Sequence, residues 1–509
     1  MESHGQEADL IAPTHSSKSQ DKPIHAEEFH KALGLFDSVM IVSGIMIGSG
    51  IFIVSAEISR QVGSAGWLLV AWIITGALTI AGALSYGELA AMMPSAGGMY
   101  VYLREALSPL VGFLYGWTLL TVIQTGTIAA VAIAFARFAG VAFPAISESS
   151  YIIAPVEFFP GYALSVSTAQ ALALIIVFAI ASVNCFGVRW GKLIQNVFTV
   201  AKLIGMVVLL GLGAYALIRS PVVFRANFAD AWHSRNTVPI GHTDVRTAFG
   251  ILVALCVSQT GSLFAADSWH DITFVAGEVR NPKRNLPLSL AIGSSLVVVL
   301  YLLCNLSYLA VLPIHSIQTA PSDRVATLAV STVLPGIANL AMAVLIMVST
   351  FGTVNGITLA GARACYAMAK DGLFFRSAGS LNRRGVPGAA LILQCLWAML
   401  LVLPRVFDPA TRTWGNLYSN LLDYVISAAL IFYILTIFGM FRLRRTRPNM
   451  PRPYRCWGYP WLPGFYIAGG VITLVILFAF RTATTWPGLL IVISGVPVFW
   501  FLRWRSGVA

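Results

Sequence analysis

The chain has 509 residues, 57% hydrophobic and only 11% charged, with a mean hydropathy of +0.78. A soluble domain carries about a quarter of its residues as charges, so a soluble enzyme or nucleic-acid-binding protein is excluded, and a polytopic membrane protein is expected. The six cysteines, Cys185, Cys256, Cys304, Cys365, Cys395 and Cys456, form no CxxC pair, which points to buried thiols rather than a disulfide framework or zinc site.

Residues 1–34 are polar and rich in His, Ser and Lys. Without the apolar core of a signal peptide, they are expected to be a disordered cytoplasmic tail. Apolar runs then follow at about 36–58, 66–92, 109–137, 168–186, 192–218, 247–276, 286–313, 335–369, 388–405, 416–441, 460–480 and 486–503, which predicts twelve membrane helices.

The first run contains IMIGSGIF (45–52). Gly44 and Gly48 stand in GxxxG spacing, which lets two helices approach closely. The surplus Ser49-Gly50 favours instead an interruption of the helix. The fifth run places Lys202 about nine residues in, roughly 14 Å deep in a ~30 Å core. It either snorkels to the interface or is a fixed cation holding neighbouring helices, with Ser349 and Thr350 as candidate hydroxyl partners. The sixth run reads SQTGSLFAADSWHD (258–271) and repeats the oddity of the first.

Irregular backbone survives in a bilayer only where it lines a cavity. Interrupted helices at matching places mark an inverted-repeat transporter site. The domains expected are a first repeat over 35–218, a connection over 219–246, a second repeat over 247–443 and two further helices in 444–509. A broken helix offers N–H groups to a carboxylate and C=O groups to an ammonium, the two groups of an α-amino acid. Asp267 is either an N-cap, an acceptor for a polar substrate group or a titrating carboxylate. His270 is either a packed polar residue or a proton relay. Phe264 and Trp269 flank the sixth-helix interruption and could cover a ligand. Asp423 is a weaker candidate, and Glu88 and Glu278, near helix ends, are taken as structural.

Most of the 33 Lys and Arg fall on one side when the amino terminus is placed inside, including Arg280, Lys283, Arg284, Arg363, Lys370, Arg442, Arg444, Arg445, Arg447, Arg452 and Arg455. The positive-inside rule therefore puts both termini in the cytoplasm and accounts for the net charge of +12 without a nucleic-acid partner. No metal-ligand cluster, phosphate loop or nucleophile–base pattern is found, so neither catalysis nor a cofactor is expected.

The stretches IGSGIF (47–52), YGELAAMMPSAGGMYVYLREALSPLVGFLYGW (86–117), NCFGVRWGKLIQNVFTVAKL (184–203), GEVRNPKRNLP (277–287), FGTVNG (351–356), RPYRCWGYPWLP (452–463) and SGVPVFWFLRW (494–504) resemble the amino acid–polyamine–organocation superfamily. The likeness runs from about residue 33 to 505 and is closest to the L-type amino acid transporters and their bacterial relatives. It implies an all-α, LeuT-like five-plus-five inverted repeat with discontinuous helices 1 and 6. It also implies sodium-independent exchange of L-amino acids across a cell membrane by alternating access.

By that resemblance the substrate carboxylate meets N–H groups at Ser49 and Gly50. The amine meets carbonyls at Met46, Phe264 and Asp267, and Phe264 is the gate. The substrate-binding set is then Met46, Ile47, Gly48, Ser49, Gly50, Phe264, Ala265, Asp267 and Trp269, with Lys202 standing where sodium sits in coupled relatives. The chain departs from the family at Ala266-Asp267, where many members have a tyrosine before a small residue. Thr121, Val122, Gln124 and Thr125 also make a more polar wall than the aliphatic one common in large-neutral carriers. The loop at about 138–167 has no cysteine, so the disulfide-linked heavy chain of animal L-type carriers is not expected. Two alternatives to exchange remain: proton symport through Asp267 or His270, and a sensor with this fold.

Overall fold

The computed structural model describes residues 31–506 apart from 32, 96, 186–187, 236–239, 241–242, 383–384, 409–412 and 415–416, and without the side chains of 188–197, 337, 408, 413, 417 and 505–506. Residues 1–30 of the expected tail lie outside the described set.

Helix α1 (Leu35–Met46) stops three residues short of α2 (Gly50–Val62), and the pair is bent by 43°. The pair ends at Gly63, whose φ of +72° is the left-handed conformation that closes many helices. The first half continues with α3 (Ala65–Met92), the short α4 (Met99–Ala106) and α5 (Pro109–Thr118). Pro109 opens α5, and the Ser108 side chain accepts from Val111 N–H at 3.3 Å. A π-helical turn at Leu119–Ile123 carries it into α6 (Gln124–Ala142). Then come α7 (Thr168–Cys185), α8 (Val188–Arg219) and the short α9 (Val222–Ala229).

The second half opens with α10 (Ala248–Ala265), capped by Thr247, and continues as 3-10 turns at Trp269–Thr273 and Ala276–Glu278. Next are α11 (Pro282–Val311), the connectors α12 (Ile314–Gln318) and α13 (Val325–Val333), α14 (Ile337–Lys370), α15 (Gly388–Leu401) and α16 (Leu417–Thr446). Helices α17 (Trp461–Phe480) and α18 (Thr482–Ser506) follow.

Every apolar run thus carries a helix. Among the described residues, ten helices are long and apolar enough to cross a membrane, and the bent α1–α2 pair makes eleven. The ninth run, 388–405, yields α15, whose 14 residues reach only about 21 Å at 1.5 Å per residue.

The fold is mostly helical, with one exception. Strands β1 (Tyr151–Phe159), β2 (Tyr162–Ser167), β3 (Pro404–Asp408) and β4 (Thr413–Trp414) form one antiparallel sheet in that order. The β1–β2 hairpin turns at Gly161, whose φ is +81°. Most of β1 is exposed on both faces, so it lacks the alternation that reveals a strand in sequence.

The helices pack in matched pairs. Helix α3 lies along α11, α6 along α14, and the α1–α2 pair against α10 and α11. The contact of α8 with α14 mirrors that of α16 with α6, and α7 on α6 mirrors α15 on α14. This pairing is the one expected of a five-span unit used twice.

At the face where α1 begins, Glu88 on α3 is fully buried. It accepts from Arg444 Nε at 2.9 Å and Nη2 at 2.5 Å, and from Cys456 N–H at 2.7 Å. Removing one partner of such a buried pair strands the other charge, at about 3–5 kcal/mol. Glu88→Ala is therefore expected to lower thermal stability in mild detergent markedly, checked by fluorescence-detected unfolding; a midpoint equal to wild type would refute the structural role.

Candidate substrate site at the two helix breaks

Inside a bilayer every backbone group freed by a break needs a partner, and partners at the first break come from three other helices. Lys202 on α8 is 1% exposed. Its ammonium donates to Gly44 O at 2.5 Å and to Thr353 Oγ1 on α14 at 2.6 Å. It does not snorkel; it ties α1 to α8 and α14 beside the break.

The hydroxyl that meets Lys202 is Thr353, not Ser349 or Thr350. Ser349 Oγ donates to Ile47 O at 3.4 Å, and Thr350 Oγ1 to Met347 O of its own helix at 2.9 Å. Residues 349 and 353 are four apart and share the stripe of α14 that faces the break, whereas 350 is turned about 100° away. Thr353 was visible in FGTVNG as the next polar residue on that stripe.

Tyr301 on α11 was not foreseen. Its hydroxyl lies 2.8 Å from Met46 O and 3.0 Å from Ala265 O, so one phenol spans both breaks. One and two turns further along the same helix, Asn305 Oδ1 accepts from Ser55 Oγ at 2.7 Å, and Tyr308 O–H donates to Ile51 O at 3.2 Å. The 301–305–308 spacing was the available signal: polar residues on one face of an apolar helix.

Met46 O also accepts from Gly48 N–H at 2.8 Å, so both its lone pairs are engaged. The N-cap of α2 is Ser49, whose side chain makes no capping bond. Its Oγ lies instead 3.0 Å from Tyr418 O–H, which leaves the first N–H groups of α2 for other partners. Phe264 packs edge-on to Tyr418 with ring centres 5.9 Å apart. The two breaks touch directly, since a Cβ on Gly50 would meet Ala265 Cβ at 2.5 Å. Gly48 is less confined, its nearest neighbour being Thr353 Cγ2 at 3.4 Å. The structure thus brings together Met46, Ile47, Gly48, Ser49, Gly50, Phe264, Ala265, Lys202 and Ser349.

The second break falls at 266–268, and Gly261 lies within unbroken helix. Ser268, with φ +65°, holds the N-cap position of the following turn, so Asp267 is not its cap. The carboxylate of Asp267 accepts from Tyr433 O–H at 2.7 Å, in a crevice also lined by Thr79, Trp269 and Tyr466. Trp269 packs on Tyr86, ring centres 4.8 Å apart, and on Tyr433. Asp267 is thereby tied to α16, and Trp269 to α3 and α16. His270 Nδ1 lies 3.4 Å from Tyr433 O–H and 4.0 Å from Asp267 Oδ1, and its Nε2 is 3.6 Å from Asp271 Oδ1. Asp423 accepts from Thr484 Oγ1 at 3.0 Å, joining α16 to α18. Among the described residues no group of three His, Cys, Asp or Glu side chains could hold a metal ion, and all six cysteines are free thiols.

The family model described as amino acid permease matches residues 33–501. The chain belongs to that family. It lies within the amino acid–polyamine–organocation superfamily and is similar to the L-type carriers. It is 29% identical to the b(0,+)-type amino acid transporter 1 of Mus musculus over 86% of this chain and 82% of that one. It is 28% identical to the large neutral amino acids transporter small subunit 2 of Rattus norvegicus over 98% of this chain and 87% of that one. The permease is thus a multi-pass membrane protein for amino-acid transport, and its family consists of transporters rather than enzymes.

Two substitutions separate the contacts. Thr353→Val removes the hydroxyl from Lys202 and is expected to cut amino-acid uptake in reconstituted vesicles by tenfold or more, about 1.4 kcal/mol or above. Thr350→Val is expected to change it less than twofold. Equal losses would remove the special role of Thr353.

Proposed function

We propose that this amino-acid transporter is a sodium-independent exchanger of L-amino acids. The observation that carries the proposal is Lys202 bound to Gly44 O and Thr353 Oγ1. A cation built into the chain satisfies the end of α1 where a coupled carrier would need a bound metal ion. With no ion gradient to draw on, a second amino acid moving the other way supplies the driving force.

In this reading the carboxylate sits on the N–H groups of Ser49 and Gly50, at the positive end of α2. The ammonium sits at the carbonyl end of α10, around Phe264 and Ala265, with Ile47 and Gly48 beneath. Entry of an ammonium at Met46 O requires Tyr301 to release it. Phe264 and Tyr418 form the lid. The two repeats, 35–218 and 247–443, alternate access to the site across a cell membrane, with 219–246 connecting them and 444–509 packed outside. The excess of Lys and Arg in the inner segments supports cytoplasmic termini. The face where α2 ends is then extracellular.

The test uses purified protein in liposomes. Uptake of labelled amino acid is expected only into vesicles preloaded with unlabelled amino acid, across a panel of leucine, phenylalanine, arginine and glutamate. Equal uptake into empty vesicles would overturn exchange. Lys202→Ala is expected to abolish uptake while leaving expression near wild type; normal kinetics would remove Lys202 from the mechanism.

A second reading, proton symport, is favoured by one observation. Asp267, His270 and Asp271 are buried together, and Asp271 Oδ2 and His270 Nε2 have no hydrogen-bond partner among the described residues. Such a cluster holds fewer charges when it takes up protons. Symport predicts uptake into empty vesicles under an inward proton gradient, collapsed by an uncoupler and lost in Asp267→Asn. Uptake that ignores the gradient would eliminate it.

A further inference from the structure

From residue 424 to residue 509 the chain contains no Asp, Glu or Lys, yet six arginines fall between 442 and 455. They sit where α16 ends and the chain turns into α17, on the face where α1 begins. Three of the six are matched by acids from elsewhere in the fold. Arg444 Nη2 meets Glu88 Oε2 at 2.5 Å, Arg452 Nε lies 3.5 Å from Glu88 Oε1, and Arg447 Nη1 meets Glu105 Oε2 at 3.1 Å.

The other three are not. Arg442 Nη1 donates to the carbonyl of Leu107 at 3.1 Å. Arg445 and Arg455 are exposed and, among the described residues, make no hydrogen bond or ion pair. The backbone that carries them is held in place. Arg452 donates to the carbonyls of Pro448 and Met450 at 2.8 and 3.0 Å, and to those of Leu443 and Arg447 at 3.0 and 2.9 Å. The Arg444 guanidinium lies over the Tyr459 ring at 3.6 Å, and Phe441 packs on that ring with centres 5.0 Å apart. Arg445 stands four residues after Phe441, hence on the side of α16 that the Tyr459 segment approaches.

Beside these charges lies an unpartnered aromatic stripe. Trp457 is 74% exposed, Trp461 85% and Phe465 48%. Trp461, Phe465 and the exposed Ile472 share one side of α17, while the helix packs on α3, α10 and α16. Four residues of helix rise about 6 Å. The stripe thus runs from arginines and tryptophans, the residues of a membrane interface, to side chains at hydrocarbon depth. A phospholipid has its parts in the same order: charged phosphate, glycerol, acyl chain. The planar fork of a guanidinium matches phosphate oxygens, and a basic cluster next to a membrane helix attracts anionic lipid.

We propose that the corner between α16 and α17 is a binding site for an anionic phospholipid, with its phosphate on Arg445 and Arg455 and its glycerol and acyl chains along Trp457, Trp461 and Phe465. The lipid completes the charge of a corner whose inner side, through Arg444 and Arg452, holds the buried Glu88. A ligand that binds only this folded corner raises the temperature at which the protein unfolds. The site is independent of the exchange reading and is tested without transport.

The experiment follows thermal unfolding of the purified protein in neutral detergent during titration with dioctanoyl phosphatidylglycerol. Dioctanoyl phosphatidylcholine and inorganic phosphate are titrated in parallel. Phosphatidylglycerol is expected to raise the wild-type midpoint by a saturable amount, and the other two to leave it unchanged. The double variant Arg445→Gln, Arg455→Gln is expected to need tenfold or more phosphatidylglycerol for half the effect. Lysine at both positions, which keeps the charge without the fork, is expected to recover part of that loss. Trp457→Ala with Trp461→Ala is expected to weaken the response as the glutamine pair does. All four side chains are exposed, so the lipid-free midpoints are expected to stay at the wild-type value; should one fall, the wild-type contrast between the two lipids still decides. Equal shifts from both lipids, or an undiminished response in the glutamine variant, overturn the site. An equal response to inorganic phosphate makes the ligand a soluble anion and overturns the lipid. No response to phosphatidylglycerol also overturns it, and wild-type dimers that the tryptophan variant dissociates would then assign the face to a second copy of the chain.

Discussion

A break in a membrane helix is tolerable only if something satisfies the carbonyls it releases, and here an ammonium does so. Lys202 reaches Gly44 O and Thr353 Oγ1, joining the end of α1 to α8 and α14. A charged group at that depth costs several kcal/mol unless it is fully bonded. The broken backbone and the buried charge therefore offset each other's cost. The polar face of α11 completes the arrangement by holding both halves of the broken helix, through Tyr301 at Met46 and through Asn305 and Tyr308 beyond it.

This mutual dependence explains which parts of the site could be read from residues alone. The apolar runs, the interruption at 47–49 and the depth of Lys202 are properties of single segments, and each was legible. The identity of the lysine's hydroxyl partner depends on how α14 is rotated about its own axis. A run that offers Ser349, Thr350 and Thr353 leaves that rotation open, and packing settles it in favour of Thr353. Tyr301 was invisible because a tyrosine in an apolar helix is ordinarily packing, and only the approach of the two breaks gives its hydroxyl two acceptors. Asp267 was legible as unusual but not as to direction. The turn at 266–268, with Ser268 in the left-handed region, points its carboxylate towards Tyr433. The small sheet escaped notice because β1 has no buried face to impose alternation on its sequence.

The close approach of the breaks also settles what the glycines do. Gly50 is small because Ala265 occupies the space a side chain would need. Gly48 has no comparable neighbour, its Cβ position meeting Thr353 Cγ2 at 3.4 Å, so Gly50 rather than Gly48 is the glycine confined by the second break. Small residues serve packing here, as the bland interpretation of the motif holds, but the packed partner is the other break. Packing and exposure of backbone are in this place one requirement.

The phenol of Tyr301 carries a single hydrogen yet faces two carbonyls, Met46 O at 2.8 Å and Ala265 O at 3.0 Å. At any instant it can serve one of them fully and the other only by sharing. Met46 O keeps a second donor in Gly48 N–H, so the phenol can commit to Ala265 O without leaving Met46 O bare. In the proposed reading, an ammonium arriving at Ala265 O would free the phenol for Met46 O. One phenol hydrogen would then move across the seam between the two halves as substrate comes and goes.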